Sequence, residues 1–236
     1  MEAVKFIVTC AATFAVMLLL AVLAEKFVCK DRKPFKSTHY ISYTAVFSCM
    51  AGALMLLEIP IFFIPSFYKI DLSELPILIC TFYLGPVAGV VSELLKILLK
   101  LLIKGTTTAF VGDYANFVIG CTFVLPASIV YHAKPGKRSA LIGMIAGTLC
   151  MTVFGSAFNA WYLLPKYSEM YSWPLDQIIA AGTKLNSNIK DIGSFVFFAV
   201  VPFNLIKGAV DSALTFLLYK RISPLLHKGD SKKNRD

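Results

Sequence analysis

Charged side chains are scarce in this sequence of 236 residues, at 16% of the total against roughly 25% in soluble domains. Hydrophobic residues make up 57%, and the mean hydropathy is +0.71. Apolar runs recur from end to end and leave no stretch for a soluble domain of ordinary size. The composition therefore excludes a soluble globular protein and predicts an all-α integral membrane protein with one membrane domain.

Motifs for ATP binding and for common hydrolytic chemistry are missing as well. No G-x-x-x-x-G-K-[ST] occurs, so the chain does not bind ATP through a P-loop, and H-E-x-x-H and G-x-S-x-G are absent. Histidines are few and fall at predicted cytoplasmic helix ends, where they cannot share one metal or haem: His39, His132 and His227. An intramembrane enzyme is disfavoured, although one that uses a carboxylate or a lysine stays open.

The six cysteines form no C-x-x-C motif and fall mostly inside apolar runs. They are interpreted as small buried hydrophobic residues, neither disulfides nor a metal site.

The net charge of +9 is concentrated in three short segments between or after apolar runs. This distribution is typical of cytoplasmic loops beside a membrane and does not indicate nucleic-acid binding. The basic residues in question are Lys26, Lys30, Arg32, Lys33 and Lys36, then Lys134, Lys137 and Arg138, and finally Lys220, Arg221, Lys228, Lys232, Lys233 and Arg235.

Seven apolar segments are predicted, over residues 4–24, 41–64, 74–85, 86–103, 114–132, 140–163 and 193–220. With the basic segments inside, the N-terminus is extracellular and the C-terminus cytoplasmic. The first segment ends in Ala21-Val-Leu-Ala24, which resembles a signal-peptide cleavage site, but the basic residues follow the apolar run instead of preceding it. An uncleaved membrane anchor is therefore favoured over a signal peptide.

The third segment is too short to cross a bilayer. Ser73 as N-cap and Gly85-Pro86 as terminator limit its helix to about 18 Å, whereas the hydrocarbon core is ~30 Å thick. We expect the preceding loop, residues 64–72, to fold down over a cavity, because irregular backbone at that depth needs protein or water around it. The alternative is a helix that begins one turn earlier and tilts less.

Three polar residues of the last segment, Asn204, Lys207 and Asp211, are three and four residues apart and share one helix face. A lysine in hydrocarbon is costly and usually faces a cavity or a partner. The fourth segment carries Glu93 and Lys96, where a structural ion pair and a transport role are both open.

Carboxamides recur in the outer halves of the predicted helices, at Asn116, Asn159 and Asn204. A primary amide offers a donor and an acceptor in one plane, which matches the imide edge of flavins and pyrimidines. Together with Lys207 they favour a binding site, while hydrogen bonding between helices is the alternative.

Small residues on the second segment occur as Ser48-xxx-Gly52 and Cys49-xxx-Ala53. This pattern permits close helix–helix approach, either within the chain or as a docking surface for another membrane subunit.

Several of these runs together resemble the riboflavin-specific (RibU-type) substrate-binding S components of energy-coupling-factor transporters. The similarity covers about residues 40–222 and is carried by the following runs: Phe67-Tyr-Lys-Ile-Asp71-Leu-Ser73-Glu74-Leu-Pro76, Leu84-Gly-Pro-Val-Ala-Gly89, Gly112-Asp-Tyr-Ala-Asn116-Phe, Asn159 with Leu163-Leu-Pro165, and Pro202-Phe-Asn204-Leu-Ile-Lys207-Gly208.

The resemblance implies a six-helix membrane subunit of the cell membrane that binds riboflavin from outside and catalyses nothing. It implies no cofactor, riboflavin being the transported ligand. As partners it implies a membrane-embedded coupling (T) protein and two cytoplasmic ATPases. Asn159, Asn204 and Lys207 match flavin-binding positions, the loop with Tyr68 and Asp71 would cover the site, and the strip from Ser48 to Ala53 would dock the coupling protein.

The chain departs from the family by an added N-terminal helix, whose role is open. We therefore expect an anchor helix over residues 1–28, a six-helix substrate-binding domain over 40–222 and a basic cytoplasmic tail over 223–236. The alternatives are an S component for another vitamin and, from a different class, an enzyme acting on a lipid-linked substrate with Lys96, Lys207 or Asp211 as acid–base groups.

Overall fold

The computed structural model describes residues 2–29, 37–62, 64–65, 68–106, 108–171 and 174–233. The described chain is an α-helical bundle with one small hairpin, in which antiparallel strands β1 (Ile59–Pro60) and β2 (Lys69–Ile70) pair. Its helices are α1 (Glu2–Val28), α2 (Thr38–Met55), α3 (Glu74–Leu84), α4 (Pro86–Lys104), α5 (Val111–Ala133), α6 (Lys137–Phe158), α7 (Leu164–Tyr171), α8 (Leu175–Thr183), α9 (Ile192–Phe195) and α10 (Val201–Lys233). The predicted all-α class is confirmed.

Two π-helical turns join helices without a break in the chain. Asn159–Leu163 connects α6 to α7, and Val196–Val200 connects α9 to α10. By length and composition, four of the described helical stretches are able to cross a membrane: Val4–Val28, Val111–Ala133, Lys137–Glu169 and Ile192–Tyr219. Each of the seven predicted apolar segments contains a helix.

The second predicted segment was drawn too long. Helix α2 ends at Met55, not at residue 64, and the chain then enters β1. Pro60 is consistent with the early end, because proline removes the hydrogen bond to the carbonyl four residues earlier, which is that of Leu56, the C-cap residue.

The third segment is short, as predicted, and begins at Glu74, so the alternative with an earlier start is wrong. Its 11 residues span about 16 Å. Ser73 occupies the N-cap position but does not cap the helix; its backbone N–H and its hydroxyl both donate to Oδ1 of Asp71. The loop before α3 is thereby tied to the beginning of the helix.

The centre of the bundle is formed by α5, which packs closely along α6, while α6 also packs on α10. Glycines on α6 permit this approach. A Cβ added at Gly147 would lie 2.4 Å from the carbonyl oxygen of Phe123, and one at Gly143 2.6 Å from that of Ala127. Helices α5 and α6 therefore pack in close contact along the half of each helix that adjoins their connection.

Helix α1 packs mainly against α4 and α5. Its Thr13 hydroxyl forms a hydrogen bond of 2.8 Å with the Tyr114 hydroxyl. Glu25, which is 2% exposed, accepts a hydrogen bond of 3.3 Å from the backbone N–H of Val87 in the first turn of α4. Helix α1 therefore satisfies one of the free N–H groups at the beginning of α4.

Parts of the basic segments that underlie the predicted topology lie outside the described residues. This applies to Lys30, Arg32, Lys33, Lys36 and Arg235, and to the side chains from Lys220 onwards.

Candidate functional site

A cavity of about 340 Å³ is lined by residues of helices α2, α4, α5, α7, α8 and α10, of the π-helical turn after α6 and of the loop before α3. This volume is in the range of small-molecule sites, roughly 300–1,000 Å³. The six residues that the sequence predicted as substrate-binding all line it: Tyr68, Asp71, Asn116, Asn159, Asn204 and Lys207. The structure thus brings together side chains from the loop, α5, α10 and the turn after α6.

The deep end of the cavity carries Lys207 and Asn204. Counted along the continuous helical stretch that begins at Ile192, they lie about 22 Å and 18 Å from its first residue. The Lys207 ammonium lies 3.1 Å from Oδ2 of Asp71, and both side chains are buried. A charge at this depth is therefore neutralised by a carboxylate that the loop supplies.

The amide nitrogen of Asn204 is buried and has no hydrogen-bond partner among the described residues. An unsatisfied buried donor of this kind costs about 1–3 kcal/mol, so its presence in a cavity wall points to a ligand acceptor. A Cβ added at Gly155 would lie 3.1 Å from this nitrogen. Because Gly155 has no side chain, the Asn204 amide has room to lie against α6 at this point.

Asn159 lies at the first residue of the π-helical turn that follows α6. Its amide nitrogen donates to the carbonyl oxygen of Gly155 at 2.8 Å, and its Oδ1 accepts a hydrogen bond of 2.6 Å from the Tyr68 hydroxyl. Single π-helical turns inside α-helices are frequent at functional sites. The loop thus contacts one of the carboxamides directly.

Asn116 lies one turn into α5 and is half-buried. Its amide nitrogen donates to the carbonyl oxygen of Gly112 at 3.1 Å. Asn116 and Asn159 thus both donate to a backbone carbonyl four residues earlier in the same helical stretch.

Apolar and aromatic side chains complete the wall. Tyr68 packs edge-on against Phe203, with ring centroids 5.2 Å apart and planes at 62°. The other apolar and aromatic members of the described lining are Met55, Ala115, Ile119, Leu163, Tyr167 and Ile178. Such a wall suits a flat ring with polar edges.

Charged pairs at the outer end of the cavity were not predicted from the sequence. Lys100 lies 2.6 Å from Oδ1 of Asp113, and the Thr106 hydroxyl donates to Oδ2 of Asp113 at 2.7 Å. Two features of the sequence indicated that such an ion pair could form. One is the stripe of lysines at positions 96, 100 and 104, and the other is the acidic residue in the first turn of the next helix. Which lysine meets this acid depends on how α4 packs against α5.

Glu58 links the loop to the end of α4. Its carboxylate pairs with Lys69 of β2 and lies 2.8 Å from Lys104. Burial acts to raise the pKa of the Glu58 carboxyl, but hydrogen bonds from Lys104 and Lys69 hold it below its ordinary value. The Glu58 carboxylate is thus charged at neutral pH and closes the hairpin against α4.

A second ionic cluster lies outside the cavity lining. Lys96 lies 2.6 Å from Oε1 of Glu74 and 2.7 Å from Oε2 of Glu93, and all three side chains are buried. The expected pair of Glu93 and Lys96 is thus present and is joined by an acid of α3. Asp211, on the same face of α10 as Lys207, is buried, and its carboxyl oxygens have no hydrogen-bond partner among the described residues.

The small-residue strip of α2 divides between two faces, which corrects the prediction of one docking surface. Ser48 and Gly52 are buried, and a Cβ added at Gly52 would lie 3.0 Å from Cβ of Leu99 on α4. Cys49 and Ala53 are exposed. Ser48 and Gly52 lie on the face of α2 that packs within the chain. Another subunit therefore has access only to the face that carries Cys49 and Ala53.

The model of the family described as ECF transporter, substrate-specific component, matches residues 5–219. The riboflavin transporter RibU of Staphylococcus aureus (strain TCH60) is 34% identical over 184 residues, which are 78% of this chain and 90% of that protein. The riboflavin transporter FmnP of Bacillus subtilis (strain 168) is 29% identical over 185 residues, 78% and 92% of the two chains.

A solved structure of the S component of a bacterial ECF transporter superposes with a TM-score of 0.63 at 31% sequence identity. The match covers 80% of this chain and 97% of that one.

Proposed function

Since the chain belongs to the substrate-specific components of energy-coupling-factor (ECF) transporters, we propose that its cavity binds riboflavin from the extracellular side of the cell membrane. Two relatives that match most of the chain are named riboflavin transporters. Because these relatives are transporters, the chain is assigned to transport, and the enzymatic alternative is set aside.

The free amide nitrogen of Asn204 carries the proposal. It is buried in the cavity wall, one helical turn before Lys207, and it lacks a hydrogen-bond partner among the described residues. Riboflavin has a flat ring whose imide edge presents a carbonyl, an N–H and a second carbonyl. Asn204 and Lys207 supply donors for the carbonyl oxygens, and a second carboxamide, Asn159, supplies both kinds of group.

In the proposed orientation, the ring lies at the deep end, against Phe203 and Tyr68. The ribityl chain extends toward the outer end of the cavity, where its hydroxyl groups meet the polar side chains of Thr108 and Asn116. The apolar lining covers the faces of the ring, and the carboxamides determine its rotation within the plane.

The energy for uptake must come from partner subunits, because the sequence has no P-loop. We propose a membrane-embedded coupling protein and two cytoplasmic ATPases as these partners. The exposed small residues of α2, Cys49 and Ala53, are the proposed docking surface, since they permit close helix–helix approach. The proposed topology keeps the N-terminus outside and the basic C-terminal tail in the cytoplasm.

Titration of the purified chain with riboflavin tests the proposal. We expect stoichiometric quenching of riboflavin fluorescence, and we expect Asn204→Ala to weaken binding at least tenfold. Asn188→Ala, in the exposed outer loop, is the matched control and should bind as the unaltered chain does. A chain that leaves riboflavin fluorescence unchanged but binds another vitamin would refute riboflavin as the ligand and keep the family assignment.

A further inference from the structure

The charges that line the cavity balance one another. Among the described lining residues, three are lysines and three carry carboxyl groups. Each lysine is paired: Lys69 with Glu58, Lys100 with Asp113, and Lys207 with Asp71. The described lining thus has no net charge and offers an anionic ligand no unpaired cation.

Asp113 is the one acid of these three pairs that lies on a helix, since Glu58 and Asp71 belong to the segment between α2 and α3. It lies in the first turn of α5, and Lys100 lies one turn before the end of α4. Both carboxylate oxygens are occupied, one by Lys100 at 2.6 Å and the other by the Thr106 hydroxyl at 2.7 Å. Asp113 is 3% exposed, so solvent screens its charge only weakly.

A phosphate group on the ribityl chain would reach this end of the cavity in the proposed orientation. A phosphate monoester carries about −1.5 to −2 charges at pH 7. Beside Asp113 it would meet a buried like charge, and the adjacent cation, Lys100, is already neutralised by that same carboxylate, while Lys69 and Lys104 share the Glu58 carboxylate. Like-charge contact in a weakly screened site opposes binding.

We propose that Asp113 determines specificity for the unphosphorylated vitamin by keeping the Lys100 side of the cavity neutral and by repelling riboflavin 5′-phosphate. This inference rests on the proposed function, since it takes a flavin as the ligand of the cavity. It adds a selecting role to a residue that has no part in the predicted set of flavin contacts.

The test is the ratio of the dissociation constants for riboflavin 5′-phosphate and riboflavin, measured on the full chain in detergent. Asp113→Asn keeps the shape and one acceptor oxygen, replaces the other oxygen by a donor NH2 group and removes the negative charge, so Lys100 becomes an unpaired cation. We expect the ratio to fall at least tenfold. Lys100→Met removes the cation instead and should raise the ratio at least tenfold.

Asp176→Asn is the matched control, because it removes one negative charge from an exposed position on α8 away from the cavity lining. It should leave the ratio within a factor of two of the unaltered chain. If the unaltered chain fails to bind riboflavin, the proposed function is refuted. If it binds riboflavin and Asp113→Asn leaves the ratio unchanged, the role of Asp113 is refuted while the function stands.

Loss of both ligands in both cavity variants would also overturn the inference. Asp113 and Lys100 would then be needed to hold the loop at Thr106 in place, and not to select between ligands.

Discussion

The hydroxyl group of Tyr68 donates a hydrogen bond of 2.6 Å to Oδ1 of Asn159, across 91 residues of sequence. It joins the loop before α3 to the turn after α6 at the wall of the cavity. Asn159 is also a proposed ligand-binding residue. The loop and the ligand therefore compete for, or share, the same carboxamide.

Tyr68→Phe should speed both association and dissociation of riboflavin, because it removes this tie and leaves the ring in place. A neutral hydrogen bond contributes about 1 kcal/mol, so we expect rate changes of roughly fivefold and a smaller change in affinity. Stopped-flow fluorescence measures both rates. Tyr162→Phe, which stacks on Phe158 outside the cavity lining, is the control; equal rates in all three proteins would contradict the prediction.

Lys207→Met should weaken riboflavin binding by about 2 kcal/mol or more, roughly 30-fold, as for the loss of a charged hydrogen bond. The substitution also leaves the buried Asp71 carboxylate without its ammonium partner. Equilibrium titration measures the effect, with Lys190→Met in the exposed outer segment as control. An unchanged dissociation constant would remove Lys207 from the site.

Gly155→Ala should weaken binding by about 1 kcal/mol, because the added Cβ would press on the Asn204 amide at 3.1 Å. Gly136→Ala is the matched substitution, since a Cβ there would meet no heavy atom of the described residues within 4 Å. The measurement is again riboflavin titration. If the two variants bind equally well, the position of the Asn204 amide does not control affinity.

Ala53→Leu should reduce riboflavin uptake by cells that contain the partner subunits while binding by the isolated chain is retained. The reason is that Ala53 belongs to the exposed pair of small residues proposed for docking. Gly52→Leu should instead lower the thermal stability of the isolated chain, because its side chain would collide with Leu99.

Val153→Leu, an exposed position on α6, controls for added bulk on a lipid-facing helix. Normal uptake by the Ala53 variant would exclude this face as the docking surface.

Glu25→Ala should destabilise the chain by about 1 kcal/mol, which corresponds to a fall of roughly 2–4 °C in Tm, because the N–H of Val87 loses its acceptor. Glu25→Gln keeps an acceptor oxygen and should recover most of the loss. Thermal unfolding in detergent measures both, with the exposed Glu169→Ala as control. Equal Tm values for the Ala and Gln variants would show that this hydrogen bond does not contribute.

The sequence alone determined that seven apolar segments carry helices, and it singled out six of the residues that line the cavity. Apolar length specifies a helix in lipid because every backbone N–H and C=O must be satisfied within the segment. The brevity of α3 follows in the same way from Gly85-Pro86 at its end. Lys207 and Asn204 were recognisable because a polar side chain inside a membrane segment is costly and usually faces a cavity or a partner.

Only the tertiary structure decided which partners these groups have. Lys207 lies on the same helix face as Asp211, yet its recorded ion pair is with Asp71, 136 residues away in the chain. Lys100 meets Asp113, and Ser48 and Gly52 turn inward while Cys49 and Ala53 face outward. A buried charge or a small residue contacts the side chains that helix packing brings within a few ångströms of it. Those neighbours depend on the rotation and register of each helix, and no short stretch of sequence specifies them.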